Sequence, residues 1–252
     1  MRFTVLGSGN GVPSATRGCP GHLLRGAGET LLLDPGPGAL AAAARAGAGP
    51  GEITGVLVSH LHLDHHLDLA ALLFALRAPR FRGRPPLRVR GPSGLRRVHD
   101  LWREAYGRWV EPEGYELDLA DAGAGPLRLG ALLVDAVPVP HGDAPALGWR
   151  IREREDGPVL AFSGDTGEGP GAVDCGRGAD LFALECTIPD GGEPRKHLTP
   201  SAAGRVAAAA GCRRLVLVHI AEEIDGTAIE TAVRASYGGP LALASDGWSA
   251  DI

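Results

Sequence analysis

The sequence is poor in several residue types, and each shortage excludes something. Aromatic residues make up 5% of its 252 residues, and the single methionine is the first residue. Of 25 basic residues only Lys196 is lysine, against 24 arginines. This bias, with abundant Ala and Gly, reads as the mark of a GC-rich genome rather than of chemistry. The four cysteines, Cys19, Cys175, Cys186 and Cys212, show no CxxC spacing. That argues against a cysteine-framed metal site or a disulfide scaffold, and the four read as free, buried thiols of a reducing cytoplasm. No uncharged apolar run reaches the roughly 18 residues of a membrane span, so no membrane partner is expected. The opening MRFTVLGSGNG has no basic stretch followed by an apolar one, so no signal peptide is expected either. Charged residues are 22% of the chain, at net −5, and 44% of residues are hydrophobic. Those values exclude a disordered or collagen-like chain and allow a sizeable core.

What is abundant is turn chemistry. Gly (38) and Pro (20) divide the chain into many short elements. Arg2–Leu6 and Thr30–Asp34 read as strands, with tight turns at Gly7–Gly11 and Pro35–Gly38. Continuous apolar runs at Ile53–Ser59, Val159–Ser163, Leu181–Glu185 and Leu215–His219 have the pattern of strands buried on both faces. Leu87–Val89, Leu127–Pro138 (two strands), Ala146–Glu153 and Leu241–Ala244 are further strands. Helices are expected over Ala39–Arg45, Leu67–Leu76, Ser93–Trp109 with Ser93 as N-cap, Thr199–Ala210 with Thr199 as N-cap, and Thr227–Ser236. Strands and helices mix in both halves and no linker separates them. The expectation is one α/β domain over residues 1–252, with two central sheets and helices outside.

Nine histidines are present, and six fall at useful spacings. The densest group is Ser59-His60-Leu61-His62-Leu63-Asp64-His65-His66, directly after a buried strand. Imidazoles and a carboxylate are a donor set for Zn and similar divalent ions. In an extended segment residues two apart point the same way, so His60 and His62 can converge on one ion. A lone histidine is more often a satisfied core or surface residue, but three imidazoles and a carboxylate within six residues are hard to explain by packing. His141, Asp165 and His219 each follow a strand further on. Together they complete a two-metal set: His60, His62 and His141 on one ion, Asp64, His65 and His219 on the other, Asp165 between.

The ordered set HxHxDH, His141, Asp165 in SGDT and His219 resembles the metallo-β-lactamase-fold hydrolases over nearly the whole chain. Val5-Leu6-Gly7-Ser8-Gly9 and Leu31-Leu32-Leu33-Asp34 fit the same resemblance. It implies a four-layer αβ/βα sandwich, two divalent ions (Zn, with Mn as the alternative) and a second-layer or structural role for Asp34. Glu185 in ALECT and His197 in KHLT further resemble the ribonuclease Z-like branch. There the matching pair lies beside the metals, and the histidine is a candidate proton donor to the leaving oxygen. The implied reaction is hydrolysis by a metal-bridging hydroxide with His197 as the acid and Asp64, Glu185 and His197 as catalytic residues. True tRNA 3′-end ribonucleases resemble this chain but carry a long arm, commonly between the counterparts of His141 and Asp165. Here that interval has 23 residues. The expected substrate is therefore a nucleotide or other small phosphodiester, as for the arm-less cyclic-nucleotide phosphodiesterases that it also resembles. RNA is possible but not favoured, and the resemblance allows a homodimer. A lactone, thioester or β-lactam hydrolase and a non-enzymatic, metal-dependent nucleic-acid-binding protein are the competing readings.

Residues 77–110 hold ten arginines against Asp100 and Glu104, net +8. They could form a phosphate-attracting rim, or only a solvated surface. Trp102, Tyr106 and Trp109 fall at helical spacing and are expected to mark a packing face. The Gly7–Gly11 loop is either a plain turn or a close approach to the metals. His22, His66 and His99 have no partner at useful spacing, Asp68 and Asp246 are possible outer carboxylates, and Lys196 is an exposed neighbour of His197 or a helper for phosphate charge.

Overall fold

The computed structural model of the chain describes residues 1–12 and 14–252. Its frame is a pair of seven-stranded sheets. In the first, β1 (Arg2–Gly7), β2 (Gly21–Gly26), β3 (Glu29–Leu33), β4 (Gly55–Leu57), β5 (Leu87–Gly91) and β6 (Leu117–Asp121) lie side by side in chain order. The second holds β7 (Gly125–Leu129), β8 (Leu132–Pro138), β9 (Leu147–Arg152), β10 (Leu160–Phe162), β11 (Leu181–Glu185), β12 (Leu215–Val218) and β13 (Leu241–Leu243), again in chain order. The last strand, β14 (Ser249–Asp251), returns to the first sheet and pairs antiparallel with β1. The chain ends therefore meet, and the Met1 ammonium donates to the Ile252 carbonyl at 3.1 Å.

Six helices complete the layers: α1 (Ala39–Arg45), α2 (Leu67–Ala75), α3 (Leu95–Tyr106), α4 (Pro170–Gly176), α5 (Pro200–Ala210) and α6 (Gly226–Arg234). Three apolar clusters glue the stack. The central one joins the inner faces of both sheets, with Phe3, Leu31, Leu33 and Leu57 from the first meeting Trp149, Ile151, Phe162 and Val216 from the second. Outside it, Leu69, Leu72 and Leu73 of α2 and Leu95 of α3 cover the first sheet, while Ala203, Val206 and Ala207 of α5 and Val233 of α6 cover the second. This is the expected four-layer αβ/βα sandwich. The continuous apolar runs behave as read: β4, β10, β11 and β12 are buried at every position. β5 and β8 instead alternate, because one face meets the core and the other is half open.

Some elements escape the sequence pattern. β2, β6 and β14 are short and polar in part, and α4 starts at Gly-Pro, so none has the periodicity that marks an element. The third helix starts later than expected, and Ser93 is not its cap. Gly94 holds the N-cap position at φ 103°. The capping acceptor comes from another strand: Asp121 at the end of β6 accepts from the Gly94 and Arg96 N–H groups at 3.0 and 2.8 Å. Thr199 does cap α5, accepting from the Ala202 N–H at 3.2 Å. No helix of the described residues is long and apolar enough to cross a membrane.

Candidate metal centre

The candidate ligands come from strand ends and the loops after them. β4 ends at Leu57, and its continuation delivers His60 and His62, followed by a single 3₁₀ turn over Leu63–His65 that turns Asp64 and His65 toward the same point. The loops after β8, β10 and β12 bring His141, Asp165 and His219. His60, His62, His141 and Asp165 offer donor atoms within 4.8 Å of one another, and so do Asp64, His65 and His219. Asp165 lies between the two groups: its carboxylate oxygens are 3.7 Å from His60 Nε2 and 3.4 Å from Nε2 of both His65 and His219.

Four of the five rings are held from behind. Asp34 Oδ2 accepts from His65 Nδ1 at 2.8 Å. The Ser59 hydroxyl donates to the same oxygen at 2.5 Å and lies 3.0 Å from His60 Nδ1. The Lys196 carbonyl accepts from His141 Nδ1 at 2.7 Å. Thr187 Oγ1 donates to Glu185 at 2.6 Å and so is left to accept from His219 Nδ1 at 2.7 Å. With Nδ1 protonated in all four rings, each Nε2 presents its lone pair inward, the tautomer that a metal ligand needs. Asp34 and His219 hold these places at φ 47° and 55°, a region that non-glycine residues seldom occupy and that surrounding contacts must enforce.

The donor spacing fits a divalent cation. His65 Nε2 and His219 Nε2 are 3.2 Å apart, and His62 Nδ1 and His141 Nε2 are 3.3 Å apart. Two nitrogens bound about 2.0–2.1 Å from one tetrahedral ion sit about 3.3 Å from each other. His60 Nε2 and Asp165 Oδ1 are buried without a hydrogen-bond partner among the described residues, as expected of atoms shaped for a metal. Burial drives the His60 pKa down to about 2, which keeps the ring neutral. Asp34→Asn is expected to leave the fold intact but weaken metal binding about 10- to 100-fold, since His65 loses the acceptor that sets its tautomer. Chelator competition measures this.

Beside the cluster lies a second unit. Glu185, fully buried at the end of β11, accepts from His197 Nδ1 at 3.0 Å, the Thr166 N–H at 2.8 Å and the Leu198 N–H at 3.2 Å. His197 Nδ1 is also 3.7 Å from Asp165. Burial disfavours the imidazolium, yet the Glu185 hydrogen bond and charge prevail and raise the His197 pKa above its ordinary value. Glu185 also accepts from the Thr187 hydroxyl, so one carboxylate ties together His197, the SGDT loop and Thr187. Ser59, Thr187 and the Lys196 carbonyl are absent from the sequence reading. The first two adjoin functional residues, which is a weak signal, and a carbonyl leaves none.

The remaining readings divide. The Gly7–Gly11 loop does approach the cluster, for a Cβ on Gly11 would meet Asp64 Oδ2 at 2.9 Å. Asp68 and Asp246 are not outer carboxylates of the centre. Asp68 accepts from the Leu40 N–H of α1, and Asp246 ties down Ser8 and Gly18. His66 is buried against Trp102, and His99 reaches the Val110 carbonyl. All four cysteines are free and buried. Six arginines of the basic stretch meet carboxylates, several of them from outside it, such as Glu29, Glu111, Glu113 and Asp118. The stretch is thus partly neutralised where it folds. The aromatic trio is only partly a packing face. Trp102 is half-buried, but Tyr106, the last residue of α3, and Trp109, beyond its end, are 57% and 49% exposed.

A model of the beta-lactamase superfamily domain matches residues 29–220. An uncharacterised protein of Mycobacterium leprae is 35% identical over 265 residues, covering 100% of this chain and 89% of its own. Ribonuclease Z of Mycobacterium marinum is 29% identical over 276 residues, covering 98% of this chain and 96% of its own. The metallo-beta-lactamase fold protein YhfI from Bacillus subtilis shares the fold, with a TM-score of 0.85 over 99% of this chain and 98% of its own at 20% identity. The chain belongs to the beta-lactamase superfamily, among its ribonuclease Z-like metal-dependent hydrolases.

Proposed function

We propose that the protein is a dinuclear metal phosphodiesterase acting on a nucleotide or other small phosphodiester. The observation that carries this reading is the His197–Glu185 pair set against the shared carboxylate Asp165. Ester hydrolysis at phosphorus expels an alkoxide, and an imidazolium stabilised by a buried carboxylate is an acid suited to protonate it. Two divalent ions, Zn by preference and Mn with this mixed N/O set, would supply Lewis acidity toward the phosphoryl oxygens and acidify a water. His60, His62 and His141 would hold one ion, Asp64, His65 and His219 the other, with Asp165 shared. The protein's own part is to hold four rings in one tautomer, to fix the donor spacing and to keep His197 protonated beside the leaving oxygen.

Two features favour a small substrate over tRNA. Between His141 and Asp165 the chain forms only a turn, β9, a further turn and β10, with no projecting arm. The ribonuclease Z alignment runs over 276 positions against a chain of 252, so that relative carries extra residues within the matched span. Metal-loaded protein is expected to turn over bis-p-nitrophenyl phosphate and cyclic nucleotides, and EDTA is expected to remove the activity. No rate above that of His62→Ala on any diester of the panel would refute the proposal. Turnover confined to lactones or thioesters would replace it with the acyl-hydrolase reading.

A further inference from the structure

His22 takes no part in the chemistry above. It lies on β2, paired with Val5 of β1 and Leu33 of β3. Strand alternation puts it on the same face as Leu24, which belongs to the central core, so the position calls for a hydrophobe. The ring is 2% exposed. It stacks on Phe3 with centroids 5.4 Å apart and meets Phe162 edge-on at 4.9 Å. Nothing in this packing needs an imidazole. Its Nδ1 has no hydrogen-bond partner among the described residues.

The ring lines a small cavity under the candidate metal centre together with His65, Gly164, Asp165 and His219. The cavity, about 10 Å³, admits about one water. Asp165, whose Oδ1 has no hydrogen-bond partner among the described residues and has a second lone pair to offer beside a cation, lines the same cavity. Two residues with unsatisfied buried polar atoms thus border one water-sized space, and such groups in native proteins are normally bridged. We infer that this cavity is a water site and that His22 is a positioning residue for Asp165: the imidazole N–H donates to the water, and the water donates to the Asp165 carboxylate. Buried between the Phe3 and Phe162 rings, the imidazole is held neutral, with one N–H to give. A neutral donor can brace the carboxylate without placing a positive charge under the cation site.

This inference rests on the reading that Asp165 is a ligand. Its test compares wild type, His22→Phe and His22→Gln by chelator competition, by the visible spectrum of the Co(II)-loaded protein and by thermal melting without metal. His22→Phe keeps the stacking on Phe3 and is expected to melt at or above the wild-type temperature. It should bind metal about 10- to 100-fold more weakly, the usual cost of losing an outer hydrogen bond, with a shifted Co(II) spectrum. His22→Gln can donate to the same water and should recover most of the affinity and the spectrum. Equal metal affinity in His22→Phe and wild type would overturn the inference. So would a high-resolution crystal structure of wild type with a dry cavity, which decides the matter even if His22→Phe does not fold. Wild type that binds no metal would instead defeat the metal-centre reading.

Discussion

Asp165→Ala is expected to abolish diester hydrolysis, with kcat/KM falling at least about 10⁴-fold, or about 5.4 kcal/mol of transition-state stabilisation. Asp165 reaches the Nε2 atoms of both donor groups: it lies 3.7 Å from His60 on one side and 3.4 Å from His65 and His219 on the other. On the proposed reading, removing it would take a ligand from each ion and leave like-charged cations without the anion between them. Metal analysis should show loss of at least one ion per chain. The fold should survive, since Asp165 sits on a loop after β10 and its backbone is not part of the ladder. Asp165→Asn tests charge at constant shape and should lose nearly as much. Retention of both ions and of activity in either variant would remove Asp165 from the centre.

His197→Ala has the second-largest expected effect, and that effect depends on the leaving group. For alkyl or ribosyl esters, which need a proton on the departing oxygen, the rate should fall about 10²- to 10⁴-fold. For p-nitrophenyl esters, whose leaving group departs as a stable anion, the loss should be about tenfold or less. The pH profile supplies the sign. The His197 pKa is raised, chiefly by Glu185 working against burial, so the acid form is present at low pH and lost as pH rises through that value. Wild type should therefore show an alkaline fall on alkyl esters that is missing in His197→Ala. Equal losses on both ester classes would mean that His197 only supports the site. Unchanged activity on an acyl substrate would favour the acyl-hydrolase reading.

Glu185 shows where legibility ends. As a buried carboxylate at a strand end it is visible in the sequence, and its link to His197 comes with the resemblance. Its link through Thr187 to His219 does not, because the three residues meet only when β11 and β12 lie side by side in parallel register. The basic stretch repeats the lesson. Ten arginines read as a charged patch, yet Glu29 and Asp118 arrive from neighbouring strands and neutralise part of it. Ser93 was a reasonable cap by composition, and a carboxylate 28 residues further on took the place.

By itself the sequence determined the layered architecture and the identity of the candidate ligands. Apolar runs and their period report burial directly, and HxHxDH after a buried strand concentrates its chemistry within six residues. Tertiary structure alone decided what each ligand leans on, which lone pair faces inward and which charges stay free. Those depend on strand register and on loop ends brought together from distant parts of the chain: His62 meets His141 across 79 positions, and His65 meets His219 across 154. No local pattern encodes a contact of that range.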